Sequence, residues 1–226
     1  MKLIDIFESN TGAPINKWMH YFNIYEKHLR QFVGSEMTLL EIGTGQGGSS
    51  RMWRKYLGDR ARVITIDVRD ECRQFETDGV SVRIGSQADP SFLDQIIAEF
   101  GRIDVVIDDG SHIMDHVNAT FDYLFPRIAE NAVYLVEDMH AAYWPSFGGG
   151  LLKPGTFIEN MKTAVDEINS FNPHNPSLCD AEMPRTDRSA SIRGISFYPS
   201  VVVIEKGPFE PLVERSVPLV PNTTIW

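Results

Sequence analysis

Short apolar runs alternate with longer amphipathic segments through much of the chain. Five runs rich in valine and isoleucine predict β-strands, at Thr38–Ile42, Val63–Asp67, Val80–Ile84, Ile103–Asp108 and Val133–Glu137. The segments between them predict helices at Gly48–Leu57, Ser91–Phe100 and Met114–Phe125. Because strands that alternate with helices pair in parallel and are covered on both faces, this pattern predicts a parallel α/β sheet.

A different pattern precedes the first strand. The stretch Ile15–Gln31 has apolar residues at helical spacing, and it predicts a helix inside an N-terminal helical segment, residues 1–35. The residues of this apolar stripe are Trp18, Tyr21, Phe22, Tyr25 and Leu29. We expect the stripe to cover the sheet; packing against a partner is the alternative, and a homo-oligomer is therefore possible.

The C-terminal part breaks the alternation. A stretch rich in glycine and proline and a helix from about Thr156 to Phe171 form a lid and helix insertion, residues 145–171. The apolar runs Ile192–Tyr198 and Val201–Glu205 then follow with two residues between them, and a link that short joins antiparallel strands. Five parallel strands and a terminal antiparallel hairpin are typical of the Rossmann-like, seven-stranded sheet of class I methyltransferases. We predict one domain of this α/β class over residues 1–226.

Composition narrows the possible partners. A net charge of −10 and a pI near 5.0 disfavour nucleic acid as a partner. No apolar run approaches the roughly 18 residues of a membrane span, and the first residues lack an apolar leader, so we expect a cytoplasmic protein without membrane contact. Cys72 and Cys179 are far apart and lack metal-type spacing, and we expect two reduced thiols.

The stretch LLEIGTGQGGSS leads from the first predicted strand into a helix. Its glycines Gly43, Gly45 and Gly47 allow a tight turn and the close approach of a ligand. Gly43, Gly45 and Gly48 also satisfy GxGxxG, the fingerprint of dinucleotide-binding proteins. The loop alone therefore leaves two cofactor classes open.

Polar residues near the loop bear on this choice. Glu41 favours S-adenosylmethionine, because a carboxylate attracts its cationic end and repels a pyrophosphate. Asp67 ends the second strand and is placed to accept hydrogen bonds from ribose hydroxyls, and Gln87 follows the third strand, where adenine is expected. The alternatives are a surface carboxylate for Glu41, a turn or helix cap for Asp67 and a solvated amide for Gln87.

Acidic pairs end the fourth and fifth predicted strands. Asp108 and Asp109 follow one strand, and Glu137 and Asp138 follow the next. Since ligands of open α/β sheets bind at the carboxyl ends of the strands, these side chains are expected to meet at one crevice. A hard cation such as Mg²⁺ would relieve the repulsion between carboxylates there; helix capping is the alternative. We place Asp108 with the cofactor-binding residues.

A histidine lies beside this cluster. His112 follows Asp109 by three residues and can overhang the same crevice, where a group with an ordinary pKa near 6.5 is suited to removing a proton. A hydrogen bond to its own loop is the alternative. His116 could form a zinc pair with His112, but the sequence suggests no third ligand.

The motifs EIGTGQGGSS, DDGSH and VEDMHAAYW together resemble the metal-dependent O-methyltransferases that methylate sugar hydroxyls of macrolide antibiotics. The resemblance covers about residues 15–150 and does not include the additional N-terminal domain of those enzymes. It implies Mg²⁺ ligands at Asp109, Glu137 and Asp138 and a general base at His112. It also implies a cofactor site lined by Glu41, Gly43, Gly45 and Asp67. Where that family tends to have an acidic residue on the adenine side, this chain has Ser86.

These observations predict an S-adenosylmethionine-dependent, Mg²⁺-assisted O-methyltransferase acting on a hydroxyl of a small, sugar-containing molecule. The sugar preference comes from the resemblance. Tyr143 and Trp144, beside the flexible stretch Gly148–Gly150, are expected to face the acceptor, with ordinary packing as the alternative. An NAD(P)-dependent oxidoreductase and a catalytically silent methyltransferase-like binding domain are the alternative functions.

Overall fold

A computed structural model describes residues 1–169, 186–208 and residue 215. The helices of these residues are α1 (Leu3–Glu8), α2 (Tyr21–Leu29), α3 (Gly48–Leu57), α4 (Pro90–Phe100), α5 (Met114–Leu124), α6 (Phe157–Asn169) and α7 (Asp187–Ser191). The strands are β1 (Met37–Ile42), β2 (Ala61–Asp67), β3 (Val80–Ile84), β4 (Val105–Asp108), β5 (Val133–Val136), β6 (Ile192–Tyr198) and β7 (Val201–Lys206). Short 3₁₀ helices lie at Arg30–Phe32, Asp70–Phe75, Met139–Tyr143 and Pro145–Phe147.

The strands form one seven-stranded sheet in the order β3-β2-β1-β4-β5-β7-β6. The first five strands are parallel, and β7 runs antiparallel to both β5 and β6. The predicted fold class, including the terminal antiparallel hairpin, is confirmed. The chain order reverses between β1 and β4, so the ends of these two strands open the crevice in which ligands of such sheets bind.

Helices cover both faces of the sheet because the strands alternate their side chains between two apolar cores. On one face, residues such as Leu39, Val105 and Leu135 pack against α1, α2 and α3. On the other face, residues such as Leu40, Val106 and Tyr134 pack against α4, α5 and α6. Burial on both faces explains why these strands appear in the sequence as nearly continuous apolar runs.

The predicted N-terminal helix is too long. The structure begins α2 at Tyr21, and the preceding residues from Ile15 onward are not helical. Trp18 was predicted to lie on the buried stripe, but it is 57% exposed. The non-helical backbone brings the side chain of Lys17 under the sheet end, where it pairs with Asp109 and Glu137.

The other stripe residues, Tyr21, Phe22, Tyr25 and Leu29, are buried within this chain. The stripe is therefore covered by the chain's own sheet and helices, and the possible homo-oligomer stays a prediction without that surface to support it. No helix of the described residues combines the length and apolar character needed to cross a bilayer. Cys72 is buried with a free thiol, while Cys179 and Phe171 lie outside the described residues.

Candidate active site

Two adjoining cavities open at the carboxyl ends of the parallel strands. The first, of about 310 Å³, lies between the segment around Lys17, the glycine loop and the ends of β4 and β5. The second, of about 480 Å³, lies between the ends of β1, β2 and β4 and the loop after β3. Gly43, Gly45 and Asp109 line both cavities, so a ligand in one would lie next to a ligand in the other.

The glycines of the loop have different roles. Gly43 has φ +98°, and a Cβ there would lie 2.1 Å from the carbonyl oxygen of Asp109, so only glycine lets the loop touch the end of β4. A Cβ at Gly47 would meet the ring of Phe75 at 2.5 Å. Gly45 instead has open space where a Cβ would point. Gly43 and Gly45 line the cavities as predicted, whereas Gly47 is not among the lining residues.

Asp67 lines the second cavity and is held by the loop. Its Oδ2 accepts hydrogen bonds from the backbone N–H groups of Thr44 and Gly45, at 3.1 and 3.3 Å, and the Arg69 guanidinium donates to both of its oxygens. Burial would raise the pKa of Asp67, but the bonds from Arg69 and the backbone lower that pKa to about 2. This ionised carboxylate is suited to accept hydrogen bonds from a ribose, and sequence reasoning missed its partner Arg69.

Gln87 lines the second cavity, while Asp108 lies behind it and is buried. The Nε2 group of Gln87 donates to both carboxylate oxygens of Asp108, at 3.1 and 3.2 Å, and its Oε1 accepts from the Ser111 N–H at 2.8 Å. Burial raises the pKa of Asp108 to about 7. Asp108 is not a lining residue; it fixes the orientation of Gln87, which is.

The structure places Glu41 beneath the glycine loop, and Glu41 itself lines neither cavity. Its side chain is fully buried and accepts hydrogen bonds from Ser49 and, at 3.0 Å, from the indole N–H of Trp53. Its Oε2 has no hydrogen-bond partner in the described part of the chain. Burial raises the pKa of Glu41 to about 7. Glu41 is thus neither a surface carboxylate nor a group that touches the cavities.

The acidic residues after β4 and β5 meet beside the predicted histidine. His112 Nε2 lies 3.8 Å from Asp109 Oδ1 and 3.9 Å from Asp138 Oδ2. Asp109, His112 and Asp138 each offer a ligand atom, and these atoms lie within 4.8 Å of one another. Two carboxylate oxygens and one imidazole nitrogen therefore surround a space in which a cation and a hydroxyl could be held.

The remaining oxygens of the cluster are bound by the N-terminal segment. Lys17 Nζ lies 2.5 Å from Asp109 Oδ2 and 2.7 Å from Glu137 Oε2. The hydroxyl of Tyr25 donates to Glu137 Oε1 at 2.6 Å, and that of Tyr21 donates to Asp138 Oδ1 at 2.7 Å. Glu137 is consequently buried and engaged on both oxygens, and it is not in the group that surrounds the open space.

Sequence reasoning missed all three of these partners. It treated Tyr21 and Tyr25 as apolar members of a stripe and did not single out Lys17. The available signal was a hydroxyl at two positions four residues apart, where phenylalanine would have sufficed for packing. Burial raises the pKa of both tyrosines, so their hydroxyls remain hydrogen-bond donors.

Two residues of the acidic cluster and its histidine, Asp138 and His112, have strained backbones. His112 has φ +56° and Asp138 has φ +54°, in the left-handed region that non-glycine residues seldom adopt. His112 is held there at the turn after β4, and Asp138 begins the 3₁₀ helix Met139–Tyr143. This conformation turns both side chains back over the sheet end.

His116 lies apart from the acidic cluster. Its Nδ1 is 3.0 Å from Ser111 Oγ, and it lines the second cavity. In the described ranges, the group that could hold a metal includes His112 and not His116. The zinc pair therefore finds no support.

An aromatic rim formed by Trp18, His140, Tyr143 and Trp144 begins at Trp18, which lines the first cavity. His140 lies between Trp18 and Trp144, with ring centroids 6.2 and 4.7 Å away. Trp144 is 49% exposed and Tyr143 is 45% exposed, but neither lines the two cavities, so their contact with an acceptor stays a prediction. The Nδ1 of His140 is 2.5 Å from Ser200 Oγ, so the turn of the β6–β7 hairpin supports this aromatic rim.

Comparison with known proteins bears on this arrangement. Residues 40–139, which run from β1 to just beyond β5 and contain the glycine loop and both acidic pairs, match the family described as a methyltransferase domain. The fold of the chain is that of the class I methyltransferases. Its sheet order and terminal hairpin agree with that assignment.

Curated relatives of this methyltransferase domain are O-methyltransferases. The demethylmacrocin O-methyltransferase of Streptomyces fradiae is 34% identical over 217 residues, which are 90% of this chain and 53% of that protein. The mycinamicin VI 2''-O-methyltransferase of Micromonospora griseorubida is 34% identical, with 86% of this chain and 50% of that protein covered. The chain thus spans about half the length of these relatives.

A solved structure also resembles the domain. The MycE methyltransferase from the mycinamycin biosynthetic pathway, in complex with Mg and SAH, has 32% sequence identity and a TM-score of 0.79 to this chain. The match covers 92% of this chain and 55% of the MycE chain. The resemblance to sugar O-methyltransferases of macrolide biosynthesis that the motifs indicated is confirmed.

Proposed function

We propose that the protein is an S-adenosylmethionine-dependent O-methyltransferase, assisted by Mg²⁺, that methylates a hydroxyl of a sugar or glycosylated small molecule. One observation carries the proposal: the ligand atoms of Asp109, His112 and Asp138 lie together directly beside the cavity lined by the glycine loop and Asp67. The relatives support it, since they are sugar O-methyltransferases and the MycE structures contain Mg and SAH.

The second cavity fits S-adenosylmethionine. Its size of about 480 Å³ lies in the range of small-ligand sites. Asp67 would accept hydrogen bonds from the ribose, and Gln87, oriented by Asp108, would face the adenine. Gly45, where no Cβ intrudes, leaves room for the ligand between this cavity and the first. When bound, the cofactor supplies an electrophilic methyl group.

The acidic cluster fits a hard divalent cation. Asp109 Oδ1 and Asp138 Oδ2 are carboxylate oxygens, the ligand type that Mg²⁺ prefers, and they face the same space. Glu137 would complete the predicted set of Asp109, Glu137 and Asp138 through the remaining lone pairs of its carboxylate. When bound, the cation supplies positive charge that favours ionisation of a nearby hydroxyl.

The chain's own residues then orient the acceptor and move its proton. His112 is placed to accept the hydroxyl proton at Nε2, the nitrogen that faces Asp109 and Asp138. The hydroxyl of Tyr21 holds Asp138 in place beside it, and the hydroxyl of Tyr25 holds Glu137. The carboxylates of Asp109 and Asp138, whose oxygens lie within about 4 Å of His112 Nε2, also stabilise the imidazolium that forms.

The aromatic rim fits the acceptor proposed here. Trp18 lines the first cavity, Tyr143 and Trp144 are exposed, and the apolar face of a sugar ring packs well against such side chains. The cavity beside the acidic cluster is small, at about 310 Å³, so we propose that it takes the sugar and that the rest of the acceptor stays outside.

The dinucleotide alternative has a structural obstacle. In GxGxxG proteins the pyrophosphate approaches the N-terminus of the helix after the loop. Here the carbonyl oxygens of Ala13 and Pro14 lie against Gly48, the first residue of α3, and would be only 2.5 and 2.3 Å from a Cβ at that position. The third glycine thus accommodates the chain's own N-terminal segment.

Isothermal titration with S-adenosylhomocysteine, NAD and MgCl₂ tests the proposal. We expect binding of S-adenosylhomocysteine and Mg²⁺ but not NAD, and loss of Mg²⁺ binding in Asp138→Asn. Asp166→Asn, at an exposed carboxylate on α6, is the matched control. Radiolabelled methyl transfer to glycosylated and phenolic acceptors then tests the acceptor class. Binding of NAD with no response to Mg²⁺ would refute the methyltransferase proposal, and Mg²⁺ and nucleoside binding without any turnover would favour a silent binding domain.

A further inference from the structure

Lys17 is a buried cation in the middle of the acidic cluster. Its side chain is 2% exposed and contacts carboxylates that lie 92 and 120 residues away in the sequence. The contacts with Asp109 Oδ2 and Glu137 Oε2, at 2.5 and 2.7 Å, are direct ion pairs. Lys17 is not part of either apolar core of the sheet, so packing of the sheet does not explain its burial.

The charges of the cluster are unevenly balanced. Asp109, Glu137 and Asp138 contribute three negative charges when ionised, and Lys17 contributes one positive charge. Both contacts of the ammonium are direct ion pairs, so Lys17 offsets one of these three charges. With all three carboxylates ionised, two negative charges remain, which one divalent cation would neutralise.

We infer that Lys17 is a positioning residue that acts as the resident counter-ion of the acidic cluster: it holds Asp109 and Glu137 together and opposes the binding of a divalent cation. This inference rests on the proposed function in one respect, namely that the cluster binds such a cation. The ammonium fixes the two carboxylates at the ends of β4 and β5 before any cation arrives. It also repels the cation across a few ångströms, so the site binds metal more weakly and more reversibly than three carboxylates alone would.

The physical basis is the dielectric environment. Like charges a few ångströms apart repel strongly where water is excluded, and Lys17, Glu137 and Tyr25 are all buried. Without the ammonium, the carboxylates also repel one another. A divalent cation that binds them would then gain the electrostatic attraction that Lys17 supplies in the wild type. Removal of the ammonium should therefore weaken the fold when no divalent cation is present and strengthen cation binding.

The test compares Lys17→Met, which keeps the length of the side chain without its charge, with the wild type. Lys162→Met is the matched control, since Lys162 also pairs with a carboxylate, Glu159, but on the exposed surface of α6. Mg²⁺ affinity is measured by isothermal titration, and the melting temperature is measured in EDTA and in saturating MgCl₂. We expect Lys17→Met to bind Mg²⁺ at least about tenfold more tightly and to melt lower in EDTA. Its gain in melting temperature from Mg²⁺ should be larger than that of the wild type.

A second pair of variants guards against a folding defect. Lys17→Gln keeps a hydrogen-bond donor without charge and should behave as Lys17→Met, whereas Lys17→Arg keeps the charge and should retain the wild-type affinity. An unchanged or weaker Mg²⁺ affinity in both neutral variants would overturn the inference. So would failure of both variants to fold in saturating MgCl₂, because a divalent cation is expected to replace the missing charge. Absence of Mg²⁺ binding in the wild type and all variants would instead refute the proposed metal site.

Discussion

Glu41 and Asp108 are buried carboxyl groups whose environment opposes ionisation. Burial raises the pKa of each to about 7, and hydrogen bonds from Trp53 to Glu41 and from Gln87 to Asp108 act in the opposite direction. Such a group binds its proton more tightly in the folded than in the unfolded chain. Its contribution to stability is therefore complete at low pH and is lost as the pH rises.

The pH dependence of stability should reveal the raised pKa of Glu41. Its pKa is raised from 4.5 to about 7 on folding, so stability should fall as the pH rises from about 4.5 to 7 and then level off. We expect Glu41→Gln to remove much of this fall and to be more stable than the wild type at pH 8, with a smaller advantage at pH 5. Urea unfolding at several pH values measures this effect. Glu71→Gln, at an exposed carboxylate, serves as the control, and equal pH slopes for wild type and Glu41→Gln would contradict the prediction.

His112 should matter for turnover and not for cofactor binding. It lies outside the lining of the second cavity but faces Asp109 and Asp138. Because a general base contributes about 10²- to 10⁴-fold to rate, we expect His112→Gln to lower kcat in that range with a glycosylated acceptor. The affinity for S-adenosylhomocysteine should change by less than about threefold. The exposed His20→Gln should leave kcat unchanged; a similar kcat for both variants would remove His112 from the base role.

At the residue scale, the sequence predicted which residues lie together at the strand ends better than it predicted their hydrogen-bond partners. The acidic pairs and His112 were identified because they directly follow strand ends, which is a local feature. The partners Lys17, Tyr21 and Tyr25 come from about a hundred residues away, and no local pattern reports such contacts. For the same reason, the burial of Glu41 could not be inferred from its position beside the glycine loop.

The glycine loop acts as an element that joins the ends of two strands. Gly43 touches the backbone after β4, whereas Gly45 faces open space. Both have positive φ, +98° and +56°, so an alanine at either position is strained. Only the alanine at Gly43 also collides with backbone, since its Cβ would be 2.1 Å from the Asp109 carbonyl oxygen.

These two positions form a matched pair for mutation. We expect Gly45→Ala to cost about 1–2 kcal/mol of unfolding free energy, which is the usual range for a strained backbone. Gly43→Ala should cost several kcal/mol or prevent folding, because backbone atoms must also move. Chemical denaturation measures both variants. Equal losses would show that the loop can shift away from β4 without consequence.

Strands and their helices were predicted well because burial on both faces makes their sequences distinctive. Val80–Ile84, Gly48–Leu57 and Ile192–Tyr198 were predicted with the observed bounds, and other boundaries differ by a few residues at most. The N-terminal helix was the exception. The helical spacing of apolar residues extends to Trp18. The backbone at this point is instead set by the ion pairs of Lys17 with Asp109 and Glu137, which override the local helical pattern.

At the scale of the whole molecule, the N-terminal segment lines the first cavity and contacts the glycine loop, which lines both cavities. Residues 13–18 touch Gly48 in the loop region and the acidic cluster through Lys17, so this segment joins the loop to the cluster. Ligands that bind the folded chain stabilise the regions they contact.

Hydrogen exchange should show this connection. With S-adenosylhomocysteine and Mg²⁺ both present at saturation, we expect amides of residues 13–20 and 43–49 to exchange roughly tenfold more slowly. Amides of α4, none of whose residues lines either cavity, should change little. Mass spectrometry of peptides from both regions measures the difference. Uniform protection along the chain would indicate a global effect in place of this local one.

The left-handed backbones of His112 and Asp138 set stability against activity. Each non-glycine residue in that region costs of order 1 kcal/mol or more, and the surrounding chain supplies that energy. Replacement of His112 by glycine would release the strain while removing the proposed proton acceptor. Natural or laboratory selection for thermal resistance alone would therefore tend to discard residues proposed to take part in the reaction. A heat-tolerant variant of this protein should be sought by selecting for turnover at the same time.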